Sequence, residues 1–230
     1  MSKAKLAQML VEKERRESQR HFYHIFPDEG PLCRDNYPRH MEFIGTTKTH
    51  TECAFISANQ IGKTQLAAFF ITAAMTGDYP EWWHGKRWDH AVDCWAAGDT
   101  NETVRNIIQE ALLGPPESLG TGMIPGKYID GVKKKAGSVA DAVESFTVNH
   151  IGGKISHLGL KSYDQKRKSF QGTKKHIIWL DEESPEDIYS ECFTRTANTD
   201  GIILCTFTPL LGLSDMILAF MEDEFGEHRE

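Results

Sequence analysis

Gly62, Lys63 and Thr64 stand together in the stretch FISANQIGKTQL, residues 55–66. A glycine, an amine and a hydroxyl in that order suit a polyphosphate. Backbone N–H groups of a turned loop face the anion, the ammonium reaches its terminal groups, and the hydroxyl serves a Mg²⁺ ion. A helix opening at the lysine would add its dipole to the attraction. From Ser57 to Thr64 the residues match G-x-x-x-x-G-K-[ST] except at the first position. Ser57 there gives up glycine's free access to positive φ. The expected nucleotide-binding residues are Ser57, Ala58, Asn59, Gln60, Ile61, Gly62, Lys63, Thr64 and Gln65.

Carboxylates suited to such a loop occur in HIIWLDEE, residues 176–183. An apolar run delivers Asp181 and Glu182 at its end. An acid in that position holds Mg²⁺ in phosphate-loop enzymes. A second carboxylate beside it can orient and deprotonate an attacking water. The same acids could instead cap a following helix that starts at Ser184 and Pro185. With the phosphate loop present, the catalytic reading is the stronger one, because both acids would lie at the carboxyl edge of the same sheet, where ligands bind. Thr206 lies at the end of the next apolar run, GIILCTFTP, and its hydroxyl could meet the γ-phosphate or the attacking water.

These groups need a scaffold. ECAFIS reads as a buried strand before the loop, and TQLAAFFITAAMTG as a helix after it that ends at Gly77. DHAVDCWAAG is a second strand, and TNETVRNIIQEALLG a helix with Thr100 as its N-cap. ESFTVNH and KISHLGL alternate around Gly152 and Gly153 as a hairpin. KHIIWL and GIILCTF are near-continuous apolar strands. The stretches FPDEGPLCRDNYPRH and PPESLGTGMIPGKY are turn-rich connections. Apolar strands alternating with helices predict a mainly parallel sheet covered on both faces, with the hairpin as an antiparallel addition. Residues 3–22 lack Gly and Pro and carry Leu6, Met9 and Leu10, which predicts an N-terminal surface helix.

The bulk composition excludes several classes. The chain has 230 residues, enough for one large domain or two small ones. No apolar run approaches the roughly 20 residues of a membrane helix, and the basic N-terminus is unlike a signal peptide. The reading is therefore of a soluble, intracellular chain without a membrane partner. Its five cysteines form no CxxC pair, and Cys53, Cys94 and Cys205 sit in strand-like segments, as buried reduced thiols do. A net charge of −7 makes the chain a poor passive binder of nucleic acid. Local basic runs exist at Lys133–Lys135, at Lys166, Arg167 and Lys168, and at Lys174 and Lys175, and each reads as a surface loop.

SANQIGKT, then LKSYDQKRKSFQGTKKHIIWLDEE, then CTFTP together resemble the ATPase domain of the large terminase subunit of tailed bacteriophages. The resemblance spans roughly residues 37–210, and the SYDQ…FQG…WLDEE block is its most specific part. It implies a P-loop NTPase (RecA/ASCE-like) domain over residues 37–230, preceded by a helix and arm over 1–36. It implies ATP and Mg²⁺ as ligands. Lys63 would bind the β- and γ-phosphates, and Thr64 and Asp181 would hold Mg²⁺. Glu182 would be the catalytic base, with Glu183 as a less favoured substitute. Thr206 would belong to a coupling motif, and Tyr37 would lie near the adenine.

The resemblance further implies double-stranded DNA, a portal protein, a small terminase subunit and other copies of the chain in a ring as partners, in the host cytoplasm and at the procapsid vertex. Many members carry an arginine inside the phosphate loop, where this chain has Asn59 and Gln60. Arg167 is therefore the candidate arginine finger, with Arg105 and Arg195 as rivals. The family's nuclease domain has no counterpart in these residues, so no nuclease activity is expected of them. A helicase-like nucleic-acid ATPase and a non-catalytic nucleotide-binding assembly module are the competing readings.

Overall fold

The computed structural model describes residues 21–137, 139–209, 214, 216–218 and 220. The N-terminal helix expected over residues 3–22 lies almost wholly outside them.

Seven strands form one sheet: β1 (Glu52–Ile56), β2 (Asp93–Gly98), β3 (Ile129–Lys134), β4 (Val143–Asn149), β5 (Ile155–Ser162), β6 (Ile177–Asp181) and β7 (Ile202–Phe207). Their order across the sheet is β1-β7-β6-β2-β5-β4-β3. The five strands from β1 to β5 in that order run parallel, and β4 and β3 are antiparallel additions. Strands β6 and β7 are buried at every position. That is why they read as unbroken apolar runs: both of their faces meet helices.

The two faces have separate cores. Cys53, Phe55, Cys94, Ala96, Trp179 and Leu204 point to one side, and Ile178, Leu180, Ile203, Cys205 and Phe207 to the other. This is the two-residue alternation of a pleated strand. On the first side lie α1 (Pro38–Thr46), α2 (Lys63–Thr76) and α3, which runs from Asn101 to Leu113 with a π-helical stretch at Val104–Gln109. On the second lies α4 (Glu186–Thr196), with Ile188 and Cys192 packed inward.

Helix α2 is apolar all round because it is buried all round. The sheet covers one side. An aromatic shell covers the other, with Phe69 stacked on Trp82 at 5.9 Å and in edge contact with Phe26 at 5.5 Å. Phe22 and Phe26, from the stretch read as an arm, are thus part of the main core. Thr72 and Thr76 of α2 donate to the carbonyls of Ala68 and Thr72, so neither hydroxyl is left unpaired.

Two elements differ from the sequence reading. Residues 38–40, read as the end of a turn-rich stretch, instead open α1, with Pro38 in its first turn. The lysine run at 133–135 is not a loop: Lys133 and Lys134 belong to the edge strand β3, where they pair with Glu144 and Asp141, each at 2.9 Å. Charged side chains on an edge strand oppose pairing with another chain, and they hid the strand from a reading that sought apolar runs. The third lysine, Lys135, donates to Asn101.

Thr100 and Thr103 cap α3 reciprocally, each hydroxyl taking the other's backbone N–H. Gly77 ends α2 at φ 72°, and a Cβ added there would lie 2.4 Å from the His150 ring. Gly77→Ala should therefore destabilise the fold by about 2 kcal/mol or more, combining left-handed strain with the clash. Urea denaturation should show the midpoint moving down at an unchanged slope. An unchanged midpoint would disprove this packing of the hairpin turn on the end of α2.

Candidate active site

The carboxyl ends of β1, β7, β6, β2 and β5 share one edge of the sheet, as their parallel pairing requires. The phosphate-loop residues follow β1, and the acidic pair ends β6. Strand β7 lies between them. With about 4.8 Å between neighbouring strands, β1 and β6 stand about 10 Å apart with β7 between them.

The loop is shaped by two positive φ angles, 64° at Gln60 and 87° at Gly62. Ser57 does not share this conformation, so the missing first glycine causes no backbone strain here. Helix α2 opens at Lys63 with Gly62 as its N-cap. The Lys63 ammonium donates to the carbonyls of Ser57 at 3.2 Å and Ala58 at 2.8 Å, and to Thr208 Oγ1 at 2.7 Å. Thr208 in turn donates to Asn59 Oδ1 at 2.7 Å. The cation is therefore held by oxygens of its own loop and of the segment after β7. An anion entering the loop would offer stronger, charge-assisted bonds to the same three N–H groups.

From the opposite side, His40 of α1 donates Nε2–H to the Ile61 carbonyl at 3.0 Å. Its ring lies among Phe26, Tyr37 and Phe55, and burial lowers its pKa, which keeps it neutral. Tyr37 lines a cleft of ≈ 790 Å³ together with Ile61, Gly62 and Thr64 of the loop and Ile107 and Glu110 of α3. A phosphate-bearing ligand on the loop has room there for an attached ring system.

Asp181 is buried, 5% exposed, and burial pushes its carboxyl up to about 6. A hydrogen bond from Thr206 opposes that shift, the charge of Glu182 adds to it, and Lys63 and Thr64 oppose it. The bond from Thr206 is 2.7 Å long, and the same hydroxyl accepts the Trp179 indole N–H at 2.7 Å. Thr64 acts on Asp181 from the loop side, so the first turn of α2 and the end of β6 lie close together. Glu182 leaves the strand at φ 64°, with its side chain exposed at the sheet edge and its N–H donated to the Thr206 carbonyl. Glu183 is half-buried.

The structure thus brings Lys63, Thr64, Asp181 and Glu182 to one edge. It corrects the expectation for Thr206. That residue is inside β7, in register with Asp181, and wholly buried. Both capacities of its hydroxyl are used by Trp179 and Asp181, so it cannot meet a phosphate. Thr208, beyond the strand's end, is the hydroxyl that reaches the loop. The arginines do not join the cluster: Arg167 and Arg195 both pair with buried Glu191 of α4, at 3.0 and 2.9 Å, and Arg105 donates to the Ala140 carbonyl. Sequence reading missed Thr208 and His40. The second threonine of CTFTP and the histidine of YPRHMEF were available signals, but only the fold brings either to the loop.

The family described as terminase large subunit, T4likevirus-type, N-terminal, matches residues 54–228. The large terminase subunit of Salmonella phage P22 is 34% identical over 206 residues, 81% of this chain and 41% of that protein. The large subunit of Enterobacteria phage LP7 is 26% identical over 129 residues, 55% of this chain and 27% of that protein. This chain therefore spans about two fifths or less of the length of these relatives. The solved large terminase ATPase domain of Thermus phage P74-26 aligns with a TM-score of 0.51 at 18% identity, covering 83% of this chain and 76% of that one. With that likeness, the sheet and its helices are a P-loop NTPase fold.

The raised pKa of Asp181 has a signature in stability. The folded state holds the proton more tightly than the unfolded chain does, so this group favours folding at low pH, and its contribution is lost as pH rises from about 4 to about 6. Asp181→Asn removes the titration while keeping an acceptor for Thr206. Relative to the parent, the variant should gain on the order of 2 kcal/mol between pH 4.5 and 7. Urea unfolding of both proteins across that range reads the difference, and a constant difference would contradict the assignment.

Proposed function

The chain belongs to the family described as terminase large subunit, T4likevirus-type, N-terminal, and on that premise we propose that it is the ATP-hydrolysing motor domain that drives double-stranded viral DNA into a procapsid. One observation carries the reading. The phosphate-loop lysine, the hydroxyl that opens α2, a buried aspartate and an exposed glutamate converge on one sheet edge.

The chemistry follows from the positions. The loop N–H groups and the start of α2 receive the β- and γ-phosphates of ATP. Lys63 exchanges its carbonyl partners for phosphate oxygens. Glu182, at the rim, accepts the proton of the attacking water. Thr208, already bonded to Lys63 and Asn59, senses whether the terminal phosphate is present, because the lysine cannot keep all its partners once that phosphate arrives.

The donors suit Mg²⁺: a carboxylate and a hydroxyl close together, both hard oxygens, with one Asp181 oxygen oriented by Thr206. Asp181 and Thr64 would hold the ion, which when bound neutralises charge on the phosphates. Burial of Asp181 then has a purpose. The carboxylate is uncomfortable alone, and a cation relieves it.

DNA, a portal protein, a small terminase subunit and neighbouring copies of the chain complete the machine in this reading. The DNA-facing charge belongs to Lys166, Lys168 and Lys174, which are exposed. Lys133 and Lys134 have carboxylate partners within the chain.

Two measurements test the reading. Glu182→Gln should lower kcat for ATP by about 10²–10⁴-fold with little change in nucleotide affinity, and Lys63→Ala should abolish binding. Turnover surviving in both variants would remove the site. In the second, reversing Lys166, Lys168 and Lys174 to glutamate should reduce DNA stimulation of the ATPase. It should also flatten the salt dependence by about 0.9 log units per lost phosphate contact. Reversing Lys133 and Lys134 should leave both unchanged; the opposite pattern would move the DNA path to β3.

A further inference from the structure

Tyr163 is the first residue after β5, in the SYDQ stretch. Its ring is buried with Trp95, Phe170 and Leu180 in the second core. Its hydroxyl reaches two successive backbone carbonyls, Asp181 O at 3.0 Å and Glu182 O at 3.2 Å. In an extended strand, successive carbonyls point to opposite sides, and one donor cannot reach both. Here it can, because Glu182 has left the strand at φ 64°. That conformation is uncommon for a residue with a Cβ, and it persists only where neighbours hold it.

The hold has two parts. The Glu182 N–H is fixed by the Thr206 carbonyl at 2.9 Å, and its C=O shares the single Tyr163 O–H with the nearer Asp181 carbonyl. Between these two bonds lie the φ and ψ angles that aim the exposed Glu182 side chain. Tyr163 is itself anchored. The next residue, Asp164, donates its N–H to the Asp99 carbonyl at 3.3 Å, and Gln165 donates to Asn101 at 3.4 Å. Asp99 follows β2, and Asn101 opens α3. The hydroxyl therefore ties the aim of Glu182 to the ends of β5 and β2.

We propose that Tyr163 is a positioning residue for Glu182: its hydroxyl holds the acidic pair's backbone in the left-handed turn that points the glutamate at the attacking water. The proposal rests on Glu182 being the base. It assigns Tyr163 no contact with nucleotide, so the hydroxyl should affect the rate of chemistry and not the binding of ATP.

Tyr163→Phe removes the hydroxyl and keeps the buried ring. Steady-state ATPase kinetics on the full chain should show kcat down tenfold or more, with KM for Mg·ATP within twofold. Phe170→Leu trims the same core without touching either carbonyl. It should lower the melting midpoint and leave kcat within twofold. Glu182→Gln, measured alongside, separates the two levels of the argument. If it stays active, the reading of the base fails. If it is inactive while Tyr163→Phe keeps kcat within twofold of the parent, that reading stands and the positioning role is overturned. A Tyr163→Phe chain that raises KM at unchanged kcat, or that does not fold, also overturns the role, since the hydroxyl would then serve binding or the core.

Discussion

A carboxylate that water barely reaches must be satisfied from within, and Asp181 sets that demand at the centre of this fold. Its position at the end of β6 is buried because β2 and β7 flank it and helices cover both faces of the sheet. Thr206 meets the demand with a hydroxyl that is itself oriented by Trp179. Thr64 and Lys63 add to it from α2. The strand order follows from the same need. With β7 between β1 and β6, Thr206 of that strand reaches the acid, and Thr208 just beyond it reaches the loop. Placing β6 next to β1 would bring loop and acid together, but would leave no intervening residue to report on either.

That intermediate strand divides its work between two threonines of one short segment. Thr206, inside the strand, serves the acid; Thr208, beyond it, serves the lysine and Asn59. The Lys63 ammonium is held by two carbonyls and a hydroxyl and has no carboxylate partner among the described residues. This is a cation prepared for an anion. The loop around it is kept open by two left-handed residues and by His40, which a neutral ring can support because only one nitrogen has to donate.

Much of this was legible in the sequence, and for a physical reason. Buried parallel strands must be apolar on both faces, so β1, β2, β6 and β7 announced themselves. Helix α2 was legible from its apolar content and from Gly77, and α3 from Thr100. The phosphate loop and the acidic pair were legible because their chemistry depends on short spacing. What failed depended on distance along the chain or on context. The Lys63–Thr208 bond joins residues far apart in sequence, and no local pattern says which threonine of CTFTP is covered. Strand β3 looked like a basic loop because an edge strand carries charge. The start of helix α1 was hidden at the end of a turn-rich stretch, although Pro38 marked it. The aromatic residues of positions 21–36 read as an arm because nothing local shows that Phe69 awaits them.

The arginines show how a missing loop residue shifts a physical problem elsewhere. Asn59 and Gln60 bring no positive charge to the phosphate loop, so charge beyond Lys63 must come from outside it. Glu191, a buried residue of α4, binds two guanidinium groups, one on each oxygen. Arg195 is the local partner, four residues along the same helix, and is mostly covered; Arg167 comes from the loop after β5 and is 55% exposed. Breaking an ion pair that orphans a buried carboxylate is severely unfavourable. Withdrawing Arg167 does not orphan Glu191, because Arg195 remains on its other oxygen. What is lost is the partner of Oε2 on a carboxylate that is 5% exposed. The same exchange with Arg195 would unseat a covered side chain from its own helix. Of the two, Arg167 is the one whose withdrawal disturbs the covered part of the helix less.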